Sequence, residues 1–441
     1  MPLLPRLLAL CAALLAVLYA LLRPRLALLG LTTTPQPALN LDTCERIEGL
    51  EACGSAWVDQ GSGVAYLPCS SVPARASWFP PLSRLSAPAS PTQPDTLRVL
   101  DLQTRNHREI KLVGMPAQEG GAGRVWVDGI SGAVGGNDGG EEGEEVVTLY
   151  LVSHRPPSPP SSAPTVGADS VIEVFRTQLG SDEARWVRTV RHALVRTPGG
   201  VLADGERGVW VTNDHAGKTD WTRKLEPWYH APSEIVYCDL TSPLDRDVEC
   251  VIAADGLKAP SGLAKGPGDL LYSASAFSGE VTVWEIQHAD KSLVPLDIIP
   301  LPHPISALHI SPTGALFAAT SASFFSSGNA TAANPALPLP RMSRSPVEVW
   351  SVQNETGAAQ YYGQKYATLL ALSDPTGEVV SGITTAAPWR EWLLLTGYFT
   401  PDAVMCRLDE TPESHETRDD ISCHEPHQLR PDAAGQASKA V

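Results

Sequence analysis

Hydrophobic positions along the chain fall into two regimes. Residues 7–22 form one unbroken apolar block, with Arg6 before it and Arg23 and Arg25 after it. No block of that length recurs. From residue 41 onward the apolar positions come in short runs rich in β-branched and aromatic residues, punctuated by Gly, Pro, Asn and Asp. These runs cover residues 62–68, 97–102, 109–113, 146–152, 171–177, 186–191, 208–212 and 234–240. They continue at 270–274, 281–286, 308–310, 316–319, 347–351, 367–372, 392–396 and 404–408. Runs of this length, with no 3.6-residue period between them, predict strands joined by tight turns in a closed all-β architecture.

Three stretches break the pattern. Residues 116–145 are rich in Gly and Glu, 155–168 in Pro and Ser, and 321–345 in Ser, Ala and Pro. Their apolar content is too low to offset the entropy of ordering, which predicts mobile surface loops. The chain from 409 to 441 is polar and predicts a disordered tail. Residues 1–30 read as a membrane segment and 31–40 as a proline-containing tether. At 16 residues the apolar block is a little shorter than the ~20 of an ideal span. No convincing small-x-small cleavage site stands near the end of the block, which favours an uncleaved transmembrane signal anchor over a cleaved signal peptide. The flanking arginines do not orient it.

Composition narrows the functions. The formal charge is −16, from 49 acidic and 33 basic residues, which speaks against a nucleic-acid surface. Of the eight cysteines, Cys238 and Cys250 flank a hairpin and are placed to pair across it, and Cys53 and Cys69 offer another pair. Free buried thiols are the alternative. Asn329-Ala-Thr and Asn354-Glu-Thr are glycosylation acceptors on the lumenal or extracellular side of the secretory pathway.

Candidate chemistry gathers where one strand ends. Val209, Trp210, Val211 and Thr212 read as a strand, and Asn213, Asp214 and His215 follow at once. A rigid strand that ends in such a cluster suits a binding rim, and an Asx turn that satisfies loop backbone is the bland alternative. Asp220, Trp221, Glu226 and Trp228 come next and suggest a Trp-anchored surface helix or a lid. The Gly-rich run 135–140 lacks the strand–helix context of a phosphate loop.

Thr212–His215 resembles the Thr-Asn-Asp-His signature of the serum paraoxonase/arylesterase family. Further pieces follow in the family's order. Cys44, Ile47, Gly49 and Glu51 resemble its Cys-x-x-Ile-x-Gly-x-Glu segment, and Leu151–His154 resembles a strand ending in His. Val171–Phe175, Thr189–His192 and Ala403–Leu408 resemble three later strands. The resemblance spans roughly residues 41–408. It implies a six-bladed β-propeller, a Cys44–Cys406 bridge joining the ends of the domain, and hydrolysis of esters or lactones at a calcium ion in the central tunnel.

The same resemblance exposes departures. Where the family carries an adjacent Glu-Asp, this chain has Gly54-Ser55; its Asn-Asp falls on Gly199-Gly200 and its Asn on Ser261. Its second Asp-Asn pair falls on Ser306-Ala307, and one family His on Asp128, while the other is matched by His154. Calcium takes six to eight oxygens and favours carboxylates, so the resemblance implies an eroded site, with Asp128 and Asp214 as the only nearby carboxylate substitutes. Asp128, His154 and His215 are then the candidate acid–base set. Two functions follow as expectations: a paraoxonase-type hydrolase of small esters or lactones, or a non-catalytic membrane-anchored propeller binding a partner or hydrophobic ligand. A metal-independent enzyme similar to strictosidine synthase-like proteins is a third.

Overall fold

The computed structural model describes residues 3–86, 94–116, 124–135, 145–223, 226, 232–244, 246–321, 344–355 and 365–408. Asn329, Trp228, Cys423 and the 409–441 tail lie outside them, as does 322–343 of the third expected loop. Residues 1–408 form one compact unit. Its sheets are mainly antiparallel and propeller-like, each strand pairing mainly with its neighbour in the chain.

Three sheets are simple four-stranded meanders. One runs Pro198–Asp204, Gly208–Asn213, Ser233–Asp239, Glu249–Leu257. The next runs Pro260–Lys265, Leu270–Ser275, Glu280–Ile286, Leu293–Pro300, and the third Ile305–Ile310, Leu316–Ser321, Val347–Asn354, Tyr366–Asp374. A fourth sheet joins the chain's two ends. Thr385–Trp389, Trp392–Thr396 and Ala403–Arg407 are completed by Glu45–Ile47 on the outer edge. Apart from a small two-stranded sheet of Trp78–Phe79 and Arg84–Leu85, the remaining strands form one eight-stranded sheet rather than two separate ones. Its halves, Trp57–Val113 and Val127–Val190, join through a parallel pairing of Glu183–Arg185 with residues 111–113.

Burial explains which strand sits where. Gly208–Asn213 is buried along its whole length, as expected of a strand covered on both faces. Outer strands such as Leu293–Pro300 are mostly exposed, with only Leu293 and Ile299 buried. The cores lie between successive sheets. Tyr150, Val152, Ile172 and Val174 pack on Val209, Val211, Val236 and Cys238. At the closure, Ala56, Val58 and Leu67 pack on Ala387, Trp389 and Leu394. Three disulfides form: Cys44–Cys406, Cys53–Cys69 and Cys238–Cys250. The last joins residues directly opposite in register.

The N-terminal block folds as helix Leu3–Leu28, but it is not straight. Pro24 has no N–H for the Ala20 carbonyl and its ring crowds that oxygen. The described segments Cys11–Ala20 and Leu22–Leu28 meet at 42°, and no single described helix is long and apolar enough to cross a membrane. Gly30, at φ 73°, ends the helix: Leu31 N–H bonds to Leu26 O and Gly30 N–H to Ala27 O, a Schellman closure. This helix end is docked. Leu29 is buried, Arg25 lies 5.6 Å from the Phe277 ring, and His303 Nδ1 sits 3.2 Å from Leu28 O. The expected tether lies against the domain too, with Gln36 N–H on Glu348 and Leu39 bridged to Ser373.

Two of the expected loops are corrected. Within 116–145, Val127–Gly135 is an edge strand of the eight-stranded sheet and its first five residues are buried. Within 155–168, a 3-10 turn and a helical turn (Ala163–Val166) pack Ala163 and Ala168 against Trp78 and Trp126.

Candidate functional site

Four chemistry-bearing residues converge from three strand ends. Asp128 opens Val127–Gly135, His154 stands near the end of Val146–Arg155, and Asp214 and His215 follow Gly208–Asn213. Ladder register brings the first two together, since Val127 pairs with Ser153. His154 Nε2 is 3.5 Å from Asp128 Oδ2, and its Nδ1 is 2.9 Å from Ser170 Oγ. His215 Nδ1 is 3.1 Å from Asp214 Oδ2. Neither His–Asp contact is aligned as a hydrogen bond. Asp128 Oδ1, His154 Nε2, Asp214 Oδ1 and His215 Nδ1 are therefore all buried and unbonded within the chain.

The signature tetrapeptide divides into framework and site. Asn213 uses its whole amide on the protein: Oδ1 accepts from Arg196 and Thr197 N–H, and Nδ2 donates to Leu194 O and Glu234 Oε1. Thr212 Oγ1 accepts from Gly200 N–H and donates to Ser261 O in the next sheet. Asp214 lines the cavity described below, and His215 packs against it. Burial works against ionisation of Asp214. The His215 ring 3.1 Å away and the charge of Arg223 outweigh it and hold the carboxyl below the usual range.

An excursion between Val64–Cys69 and Thr96–Asp101 covers the cluster. Ser71 caps helix Val72–Ser77, and Glu51 accepts its first N–H. Arg75 then reaches inward to Asp95, at 3.1 Å, and to Val127 O, at 2.8 Å. Trp78 Nε1–H donates to His154 O, and Pro80 and Pro81 follow over the site. Arg223 latches the cover from the other side. Its guanidinium bonds to Gly217 O, Pro80 O, Pro81 O and Asp214 Oδ2. Beneath lies a cavity of about 10 Å³ lined by Pro80, His154, Ser170, Thr197, Asp214 and Arg223, among others, room for about one water. Of the two tryptophans expected to anchor a helix here, Trp221 is 83% exposed while Arg223 and Glu226 turn inward, and Trp228 lies outside the described residues.

Arg75, Trp78, Arg223 and Tyr398 carry no sequence signal of their own. Tyr398 donates to the Asp128 backbone oxygen. Burial, then the Asp128 charge, pushes its phenol well above the usual range, so it stays an O–H donor.

No protein-family model matches the chain. Serum paraoxonase/arylesterase 2 from Homo sapiens is 26% identical over 174 residues, 39% of this chain and 44% of that protein. The Canis lupus familiaris form is 24% identical over 226 residues, 51% and 56% respectively. Serum paraoxonase/arylesterase 1 from Rattus norvegicus is 27% identical over 177 residues, 40% and 44%. This chain is a divergent paraoxonase-like relative. The match spans about half the length of those curated relatives. Among solved structures, a luciferin-regenerating enzyme superposes at TM-score 0.42 with 11% identity, covering 82% of this chain and 94% of that one. A gluconolactonase from Xanthomonas campestris reaches 0.34 at 13%, covering 86% and 99%. Likeness that loose carries no argument about this chain.

The calcium ion that the resemblance implies is not matched by the donors of this paraoxonase-like chain. Ser55, Gly199, Gly200, Ser261, Ser306 and Ala307 bring no carboxylate or amide. Nor is there space for one at Gly200, where a Cβ would stand 2.0 Å from Ser261 O. Of the two substitute carboxylates, Asp214 already faces a guanidinium and Asp128 an imidazole. Among the described residues no three His, Cys, Asp or Glu side chains are grouped to hold a metal.

Proposed function

We propose that this chain is an ester or lactone hydrolase of the paraoxonase type, in which His154 activates water and Asp128 supports it. The observation that carries the reading is the buried Asp128–His154 pair, whose histidine lines a water-sized cavity. With Nδ1 donating to Ser170, Nε2 keeps its lone pair for the proton of an attacking water, and Asp128 stabilises the imidazolium that results. Asp214 and Arg223 line the same cavity, with Arg223 held to Asp214 and to the covering segment. The scaffold is read as six-bladed, the eight-stranded sheet counting as two blades joined at their outer edges.

Three disulfides suggest an extracellular or lumenal protein. The apolar helix holds it at a membrane, and glycans sit on the exposed Asn354 and on Asn329. The cavity, no larger than one water, supports a second reading, a non-catalytic propeller that binds a partner or hydrophobic ligand away from this site.

The test is turnover of aryl esters and lactones by the full chain in detergent. His154→Gln and Asp128→Asn should each lower kcat/KM by at least about 100-fold, the usual yield of a positioned base. A His154→Gln variant that folds and turns over at the parental rate overturns the assignment. Absence of turnover in the parent, with saturable ligand binding, favours the second reading.

A further inference from the structure

The inner ends of the strands around the axis are tied to one another by side-chain hydroxyls. Thr384 and Thr385 both donate to Gly54 O, at 2.6 and 3.2 Å. The Tyr398 hydroxyl crosses to Asp128 O at 2.9 Å. Thr212 Oγ1 donates to Ser261 O at 2.9 Å, and Ser261 Oγ in turn to Ile305 O at 2.7 Å. Each donor and its acceptor sit on different sheets or on the segments leading into them. Buried backbone oxygens need partners, and here neighbouring sheets supply them.

Close approach of the backbones accompanies these bonds. A Cβ on Gly129 would stand 2.7 Å from Gly199 O, and one on Gly262 would stand 2.5 Å from Leu308 N. The Tyr398 ring lies where a Cβ on Gly54 would be, at 1.8 Å. A hard cation binding here would have to gather oxygens that these hydroxyls already occupy.

Positive charge is present beside the ring. The Arg75 guanidinium is buried against Asp95 and lies 5.7 Å from the Phe79 ring and 5.6 Å from the Tyr398 ring. Arg223, also buried, faces Asp214. An arginine is permanently protonated, so this charge does not depend on a dissociable ion.

We propose that the axis of this propeller is stapled by the hydroxyls of Thr212, Ser261, Thr384, Thr385 and Tyr398, with Arg75 and Arg223 as resident cations, in place of a bound divalent metal. Stability is then a property of the chain alone and is indifferent to calcium. The inference does not rest on the hydrolase reading, because its readout is unfolding rather than turnover.

The experiment is thermal unfolding of the full chain in detergent, with millimolar calcium and with excess chelator. The parent should unfold within about 1 °C in the two conditions, since a bound metal at that excess would add several degrees. Thr212→Val and Ser261→Ala should each lower Tm by about 2–4 °C, and Thr212→Ser, which keeps the hydroxyl, should stay near the parent. A parent Tm that rises several degrees with calcium overturns the proposal. So does an unchanged Tm in Thr212→Val and Ser261→Ala, or a Thr212→Ser variant that falls as far as Thr212→Val.

Discussion

Asp374 holds the turn that leads into the closing sheet, and its replacement gives a prediction that can be worked through. The residue is fully buried at the end of Tyr366–Asp374. Its Oδ1 accepts from Thr376 N–H, Gly377 N–H and the Thr376 hydroxyl, at 2.8–3.0 Å. Its Oδ2 accepts from Val379 N–H and Val380 N–H, both at 2.9 Å. Burial alone would raise its pKa, but these bonds outweigh it and hold the carboxyl below the usual range.

Asp374→Ala strips four backbone donors of their acceptor at once. An unmet buried donor costs about 1–3 kcal/mol, and water entering the vacated space recovers part of that. The expected loss is therefore about 4 kcal/mol. Asp374→Asn fares little better, because its NH2 group points donors at donors. Urea unfolding of parent and variants measures the difference directly. A group whose folded pKa is depressed stabilises above its unfolded pKa, and that contribution is lost as pH falls through the folded value. The gap between parent and variant should thus be full at pH 7 and narrow below about pH 4. A variant within 1 kcal/mol of the parent at pH 7, or a gap that widens on acidification, refutes the reasoning.

Two further outcomes are expected. Replacing both Cys44 and Cys406 by Ala opens a loop of 362 residues and should cost about 6 kcal/mol in the chain-entropy account, read as a lower urea midpoint. His309, on Ile305–Ile310, is held down to about 4 by burial, so between there and about 6.5 only the unfolded chain takes up its proton. Stability should fall by up to about 3 kcal/mol as pH drops through that window, and His309→Phe should flatten the slope in acid titrations followed by circular dichroism.

Much of the scaffold was legible because strands announce themselves locally. The run around Val209–Thr212 and the facing cysteines Cys238 and Cys250 need only neighbours in sequence. Val127–Gly135 was misread because its glycines lower its apolar content. Those glycines are what an inner strand needs where backbones nearly touch, as Gly129 does with Gly199. The 155–168 stretch hid its contacts in small residues, Ala163 and Ala168, against two tryptophans. At the site, Asp214 and His215 stand out at a strand end, whereas Asp128 and His154 come from the family resemblance; the structure pairs Asp128 with His154 and Asp214 with His215. Arg75 and Tyr398 were not legible, since their partners lie 52 and 270 positions away and no local pattern encodes such a contact.

The Cys44–Cys406 bridge also governs what a broken chain looks like. It makes residues 44–406 a covalent circle, with the two ends of the molecule hanging from a single point. One cleavage anywhere inside that circle yields two polypeptides that remain joined through sulfur, and the strands flanking the cut stay paired with their sheets. Such a molecule migrates with the intact one until a reductant is added. Proteolytic damage or processing in this protein is therefore silent under oxidising conditions and becomes fragmentation only on transfer to a reducing compartment.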